Sequence, residues 1–169
     1  VGFSLGAWVA AEALDEADAF VGLSPVNFAF DDIAAAMWDE EREGDVYEEE
    51  EEEVDLGWRK ILVSQAFLKQ LRVGTPTETN AARNAGKPML LVAGGNDARC
   101  LENARRIAEQ VGSEVELAIE EGADHVFNCL EEGGGRAESV LRLVAEFARK
   151  VAGERCSVKA QGEAAAKAK

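Results

Sequence analysis

Short apolar runs closed by turn residues alternate along the chain with stretches of helical period. Ala19–Leu23 (AFVGL) is closed by Ser24-Pro25, Pro88–Ala93 (PMLLVA) by Gly94-Gly95, and Glu114–Ile119 (EVELAI) by Glu121-Gly122. Runs of this length ended by Gly or Pro predict strands, and the first two carry apolar residues on both faces. Between and after them the period changes. Leu101, Ala104, Ile107, Ala108 and Val111 recur at helical spacing, and Gly112 ends that helix. Val140, Leu141, Val144, Phe147, Ala148 and Val151 form a second such face, ended by Gly153. Leu5–Leu14 is apolar nearly all round, as in a buried helix. The pattern predicts parallel strands at about 19–23, 88–93 and 114–120, and helices at about 4–14, 100–112 and 136–152. Alternating strand and helix implies a parallel sheet covered on both faces, an α/β fold.

One stretch breaks the alternation. Residues 28–72 are too long for a simple connection and read as an inserted cap. Within it Ile61–Leu71 looks helical, and Phe28, Phe30, Met37 and Trp38 read as an apolar wall. The segment 39–55 carries twelve acidic residues and one basic residue, Arg42. Its glutamates Glu48–Glu53 repel one another, so Arg42–Val54 is expected to be poorly ordered and to pack on nothing. Gly133-Gly134-Gly135-Arg136 reads as a linker, although a glycine run before a helix can also cradle an anion. After about Gly153 no apolar face remains, so 154–169 is expected to be a disordered tail behind a domain at 1–153.

Composition narrows the function. The net charge of −15 excludes a general nucleic-acid binder, which needs clustered Lys and Arg. No apolar run reaches the roughly 20 residues needed to cross a bilayer. Cys100, Cys129 and Cys156 lie far apart without a CxxC pair, which argues against a disulfide framework and a zinc site and fits a reducing, cytoplasmic compartment. Nothing in the sequence calls for a cofactor or a metal. The chain opens on Val1 and reads as a piece of a longer one.

Three residues combine into chemistry. Gly2-Phe3-Ser4-Leu5-Gly6 is a G-x-S-x-G pattern followed at once by a helix. A nucleophilic serine must project from a sharp strand-to-helix turn, and that turn asks for nearly atomless flanking residues. The helix start then presents free N–H groups and a positive dipole end to developing negative charge. Asp97 follows the strand at 88–93, and His125, the only histidine, follows the strand at 114–119. Taken singly, each has a plain reading as a turn residue, a helix cap or a surface group. Together they stand in the order Ser, Asp, His, each at the C-terminal end of a strand, where ligands bind in open α/β sheets. One crossover separates Asp97 from His125, so both loops fall on the same sheet edge. Asp124 is the competing acid, but a sequence neighbour is poorly placed to reach the imidazole.

GFSLG, the strand ending in LSPV, KPMLLVAGGND and GADHVF together resemble the C-terminal half of an α/β-hydrolase of the serine aminopeptidase-like and small-esterase kind. The resemblance covers Val1 to about Ala152. Val63–Leu68 (VSQAFL) also resembles a cap segment of bacterial esterases and luminescence acyl-transferases. By this resemblance Ser4 is the nucleophile, His125 its base and Asp97 the residue that orients the imidazole. The Leu5 N–H is one oxyanion-hole donor, and the second comes from a loop after the family's third strand. Such a fold has eight strands, of which this chain is expected to supply the last three. Val1 alone would then represent the strand before Ser4, leaving an apolar sheet edge unpaired. The implied reaction is attack on an ester, thioester or similar acyl bond of a small-molecule substrate through an acyl-enzyme, with this piece by itself incompetent. Two alternatives stay open: acyl transfer by the same triad, and a decayed hydrolase whose acidic segment binds a basic partner.

Overall fold

A computed structural model describes residues 1–26, 51–55, 60–64, 74–133 and 135–167. The side chains of 51–55, 60–64 and 154–167 lie outside that description, as does most of the cap expected at 28–72, including Phe28, Phe30, Met37 and Trp38. The main sheet has four parallel strands in the order β1-β2-β5-β6: β1 Gly2–Phe3, β2 Phe20–Leu23, β5 Met89–Gly94 and β6 Val115–Glu120. A separate antiparallel pair joins β3 Glu51–Asp55 to β4 Lys60–Ser64. Among the described residues the helices are α1 Leu5–Glu12, α2 Thr77–Arg83, α3 Ala98–Val111 and α4 Ala137–Lys167, with a 3-10 turn at Leu14–Glu16.

Period two along β5 explains why both faces of the sheet are covered. Met89, Leu91 and Ala93 point into a core built with Ala7 and Ala11 of α1, Ala81 of α2, and Ala104 and Ile107 of α3. Leu90 and Val92 point the other way, into a core with Val21, Ala123, Phe127, and Val140 and Phe147 of α4. All six residues of β5 are buried, as the unbroken apolar run predicts. The register Met89↔Val115 through Gly94↔Glu120 ends β5 and β6 level with each other. The loops carrying Asp97 and His125 therefore leave the sheet side by side.

Several elements differ from the sequence reading. The sheet has four strands rather than three, because two residues suffice for β1: Gly2 pairs with Gly22 and Phe3 with Leu23, and the Ser4 N–H donates to the Leu23 carbonyl at 2.8 Å. That pairing makes β2 an interior strand, and β5 lies between β2 and β6, so neither is the unpaired edge expected of them. Helix α1 is not buried all round. It buries Ala7, Trp8 and Ala11, whereas Val9 is 55% exposed.

Glu51–Val54 lies in β3, within the stretch expected to be without order. Its register sets Glu51, Glu52 and Glu53 opposite Ser64, Val63 and Leu62, so no carboxylate residue faces another directly across the pair. Residues 60–64 form β4 where a helix was expected, in keeping with the β-branched Ile61 and Val63. The rest of that expected helix, 65–71, lies outside the described residues, as does 39–50 of the acidic segment. Helix α4 runs on to Lys167 instead of ending near Gly153. The Ala, Lys, Glu and Gln that follow are strong helix formers, and Gly153 and Gly162 cost only about 1 kcal/mol each.

Candidate active site

Ser4 sits between β1 and α1 with φ 52° and ψ −120°, a left-handed conformation that a non-glycine residue adopts only under constraint. The constraint is the parallel pairing of β1 on one side and the start of α1 on the other. A β-carbon on Gly2 would lie 2.0 Å from the Gly6 carbonyl oxygen, so the turn closes only over a glycine at that position. Gly6 is different from the expectation: among the described residues, a β-carbon there meets nothing within 4 Å. Steric demand falls on the first glycine of the motif and not on the second. Leu5 opens α1, so its N–H belongs to the first turn, where no intrahelical carbonyl can accept it.

The structure brings the three predicted residues together. His125 Nε2 lies 2.9 Å from Ser4 Oγ, and its Nδ1 lies 2.7 Å from Asp97 Oδ2. Asp97 does two jobs with its two oxygens. Oδ1 accepts the Cys100 N–H at 3.3 Å as the N-cap of α3, leaving Oδ2 for the imidazole. The cap reading and the triad reading of Asp97 are thus compatible. Burial pushes the Asp97 carboxyl up, but hydrogen bonds from His125 and from the Cys100 side chain and backbone outweigh it. The group ends below its ordinary value. The carboxylate that meets His125 Nδ1 is that of Asp97, whereas Asp124 Oδ1 accepts the N–H groups of Val126 and Asn128 at 3.0 and 2.7 Å.

The loops are laced to one another. The Asn96 N–H donates to the Ala123 carbonyl at 2.8 Å and its amide to the Gly122 carbonyl at 3.0 Å. Gly94 makes that approach possible, since a β-carbon there would lie 2.4 Å from the Asp124 carbonyl oxygen. Phe3, 42% exposed, covers the imidazole with its ring centroid 5.3 Å away, and Phe127 lies 6.4 Å from Phe3. Two further residues touch His125 with nothing in their spacing to mark them. Ser24, fully buried, donates its hydroxyl to the His125 carbonyl at 2.8 Å. Cys100, 2% exposed, places Sγ 3.5 Å from His125 Nδ1. Ser24 closes a strand and Cys100 sits one turn into a helix, so only the tertiary fold reveals either.

The parallel sheet with helices on both faces has counterparts among solved structures. An esterase domain from Rhodothermus marinus superposes with a TM-score of 0.63 at 22% identity, over 88% of this chain and 59% of that one. The chain has the α/β-hydrolase fold. Mouse alpha/beta hydrolase domain-containing protein 10 superposes with a TM-score of 0.56 at 15% identity, over 89% of this chain and 61% of its own. The chain therefore spans about three fifths of the length of these α/β-hydrolase-fold proteins. No protein-family model and no curated protein matches the sequence.

Proposed function

We propose that the protein is a serine hydrolase that cleaves an ester, thioester or similar acyl bond through an acyl-enzyme. The observation that carries this reading is the hydrogen-bonded path Ser4–His125–Asp97, at 2.9 and 2.7 Å, with the serine on a strained elbow at a helix start. The α/β-hydrolase fold supports it at the level of architecture.

In the reaction so inferred, Ser4 Oγ attacks the acyl carbon and its proton passes to His125 Nε2. Asp97 keeps the other ring nitrogen protonated and stabilises the imidazolium as it forms. The carbonyl oxygen gains negative charge and accepts the Leu5 N–H, aided by the positive end of α1. The imidazolium then returns its proton to the leaving alcohol or thiol, which departs as the acyl-serine forms. Water, deprotonated by His125, releases the acid and restores Ser4. The substrate is a small-molecule acyl compound.

The test is covalent labelling of the complete gene product with a fluorophosphonate, with the modified peptide located by mass spectrometry. The adduct is expected on Ser4, and Ser4→Ala is expected to abolish both the adduct and hydrolysis of p-nitrophenyl esters. Ester hydrolysis that survives in Ser4→Ala overturns the nucleophile assignment.

A further inference from the structure

Cys100 has no part in the reaction just described, yet it lies against the triad. Asp97, Cys100 and His125 each offer one ligand atom, and the three atoms lie within 4.8 Å of one another. We propose that Asp97, Cys100 and His125 form a binding site for zinc(II) or a similar thiophilic divalent cation, and that its occupancy switches Ser4 off. The switching half of this proposal rests on the function inferred above; the binding half does not.

The donor set is one thiol, one imidazole and one carboxylate, the three ligand types that zinc takes in proteins. Zinc bonds of about 2.0–2.3 Å in tetrahedral geometry set ligand atoms about 3.3–3.7 Å apart. The Cys100 Sγ to His125 Nδ1 separation of 3.5 Å already meets that spacing. The His125 Nδ1 to Asp97 Oδ2 separation of 2.7 Å is a hydrogen bond, and it must open for a metal to enter. When it opens, Asp97 stays anchored to α3 through Oδ1, which accepts the Cys100 N–H at 3.3 Å, so Oδ2 remains beside the site. With three protein ligands, water completes the tetrahedron.

Binding has a definite proton balance. The Cys100 thiol loses its proton to solvent and ligates as thiolate. His125 must free Nδ1, so its ring proton moves to Nε2. Nε2 then carries a hydrogen toward Ser4 Oγ and has no lone pair to take the serine proton. One proton is released per metal bound, so affinity rises with pH. The same imidazole cannot serve the metal and the serine at once, which makes the ion an inhibitor and not a cofactor.

The experiment uses the complete gene product with Cys129 and Cys156 replaced by Ser, so that Cys100 is the only cysteine of this sequence left. Zinc chloride is expected to inhibit ester hydrolysis and phosphonate labelling at micromolar concentration, reversibly with EDTA. Cobalt(II) chloride is expected to give a near-ultraviolet thiolate-to-cobalt band. Cys100→Ala should erase the band and raise the half-inhibitory zinc concentration about tenfold or more, since loss of even an outer-shell partner costs about 10–100-fold in affinity. Each variant's own metal-free rate is the reference. His125→Ala, at a partly exposed position, should shift the cobalt spectrum independently of how Cys100→Ala folds. A protein with no cobalt–thiolate band, or one whose zinc inhibition is unchanged by Cys100→Ala, overturns the proposal. A cobalt band in a protein that takes no phosphonate leaves the metal site standing and overturns the hydrolase reading alone.

Discussion

The Ser24 hydroxyl donates to the carbonyl of His125 at 2.8 Å, tying the end of β2 to the loop that carries the imidazole. Ser24 is fully buried with φ 44°, and its own N–H donates to the Val92 carbonyl at 2.8 Å, so its backbone is clamped from the β5 side. The imidazole is thereby positioned through its main chain as well as through Asp97.

Ser24→Ala leaves the His125 carbonyl without that donor. A buried acceptor stripped of its partner costs about 1–3 kcal/mol, and a loose base costs rate, since a shift of about 1 Å can lower turnover about 10²-fold. We expect a lower urea midpoint and a fall in kcat of about 10- to 100-fold, with KM little changed. A stability loss with kcat intact would mean that the hydroxyl holds the fold and not the base.

The parts legible in the sequence are those written in local pattern. β2, β5 and β6 are apolar runs with turn residues behind them, and Ser4, Asp97 and His125 stand out because they follow strands. The parts that escape a reading of pattern are set by neighbours distant in sequence. β1 is two residues long, too short for any period, and exists because β2 offers it a ladder. α2 (TETNAAR) has no apolar stripe and is fixed by buried Thr77, whose hydroxyl donates to the Val26 carbonyl at 2.7 Å. Ser24 and Cys100 meet His125 across 101 and 25 residues.

The two glycines of the elbow should respond differently to a methyl group. Gly2→Ala drives a β-carbon into the Gly6 backbone, and Gly94→Ala does the same to the Ala123 and Asp124 carbonyls. Both are expected to lose phosphonate labelling and most of the cooperative unfolding signal, because backbone cannot step aside cheaply. Gly6→Ala meets nothing within 4 Å and lies in α1, where alanine is favoured by about 0.5–1 kcal/mol. It should keep its labelling and melt no lower than the parent protein. A Gly6→Ala protein that fails to fold would show that space near Gly6 is filled by chain outside the described residues.

Asp97 and Asp124 are both close to His125 in the fold or the sequence, and their asparagine variants should separate their roles. Asp124 is engaged by backbone N–H groups, and asparagine keeps a carbonyl acceptor for them, so Asp124→Asn is expected to stay within about threefold of the parental rate. In Asp97→Asn the amide can donate to Nδ1, which favours the tautomer with its proton on Nε2 and leaves no base for Ser4. The rate should fall by about 10³–10⁴-fold.

The same variant tests the depressed Asp97 carboxyl against pH. Burial raises it, but the His125 and Cys100 hydrogen bonds bring it below its ordinary value. A carboxyl lowered on folding adds stability that is fully present above its unfolded value, about 3.9, and that is lost as pH falls through its lower folded value. The urea midpoint of the parent protein should therefore exceed that of Asp97→Asn near neutral pH, with the gap closing below about pH 4. A gap that is the same at pH 3 and pH 7 would mean that ionised Asp97 contributes nothing to the fold. Its hydrogen bond to His125 would then serve the imidazole alone.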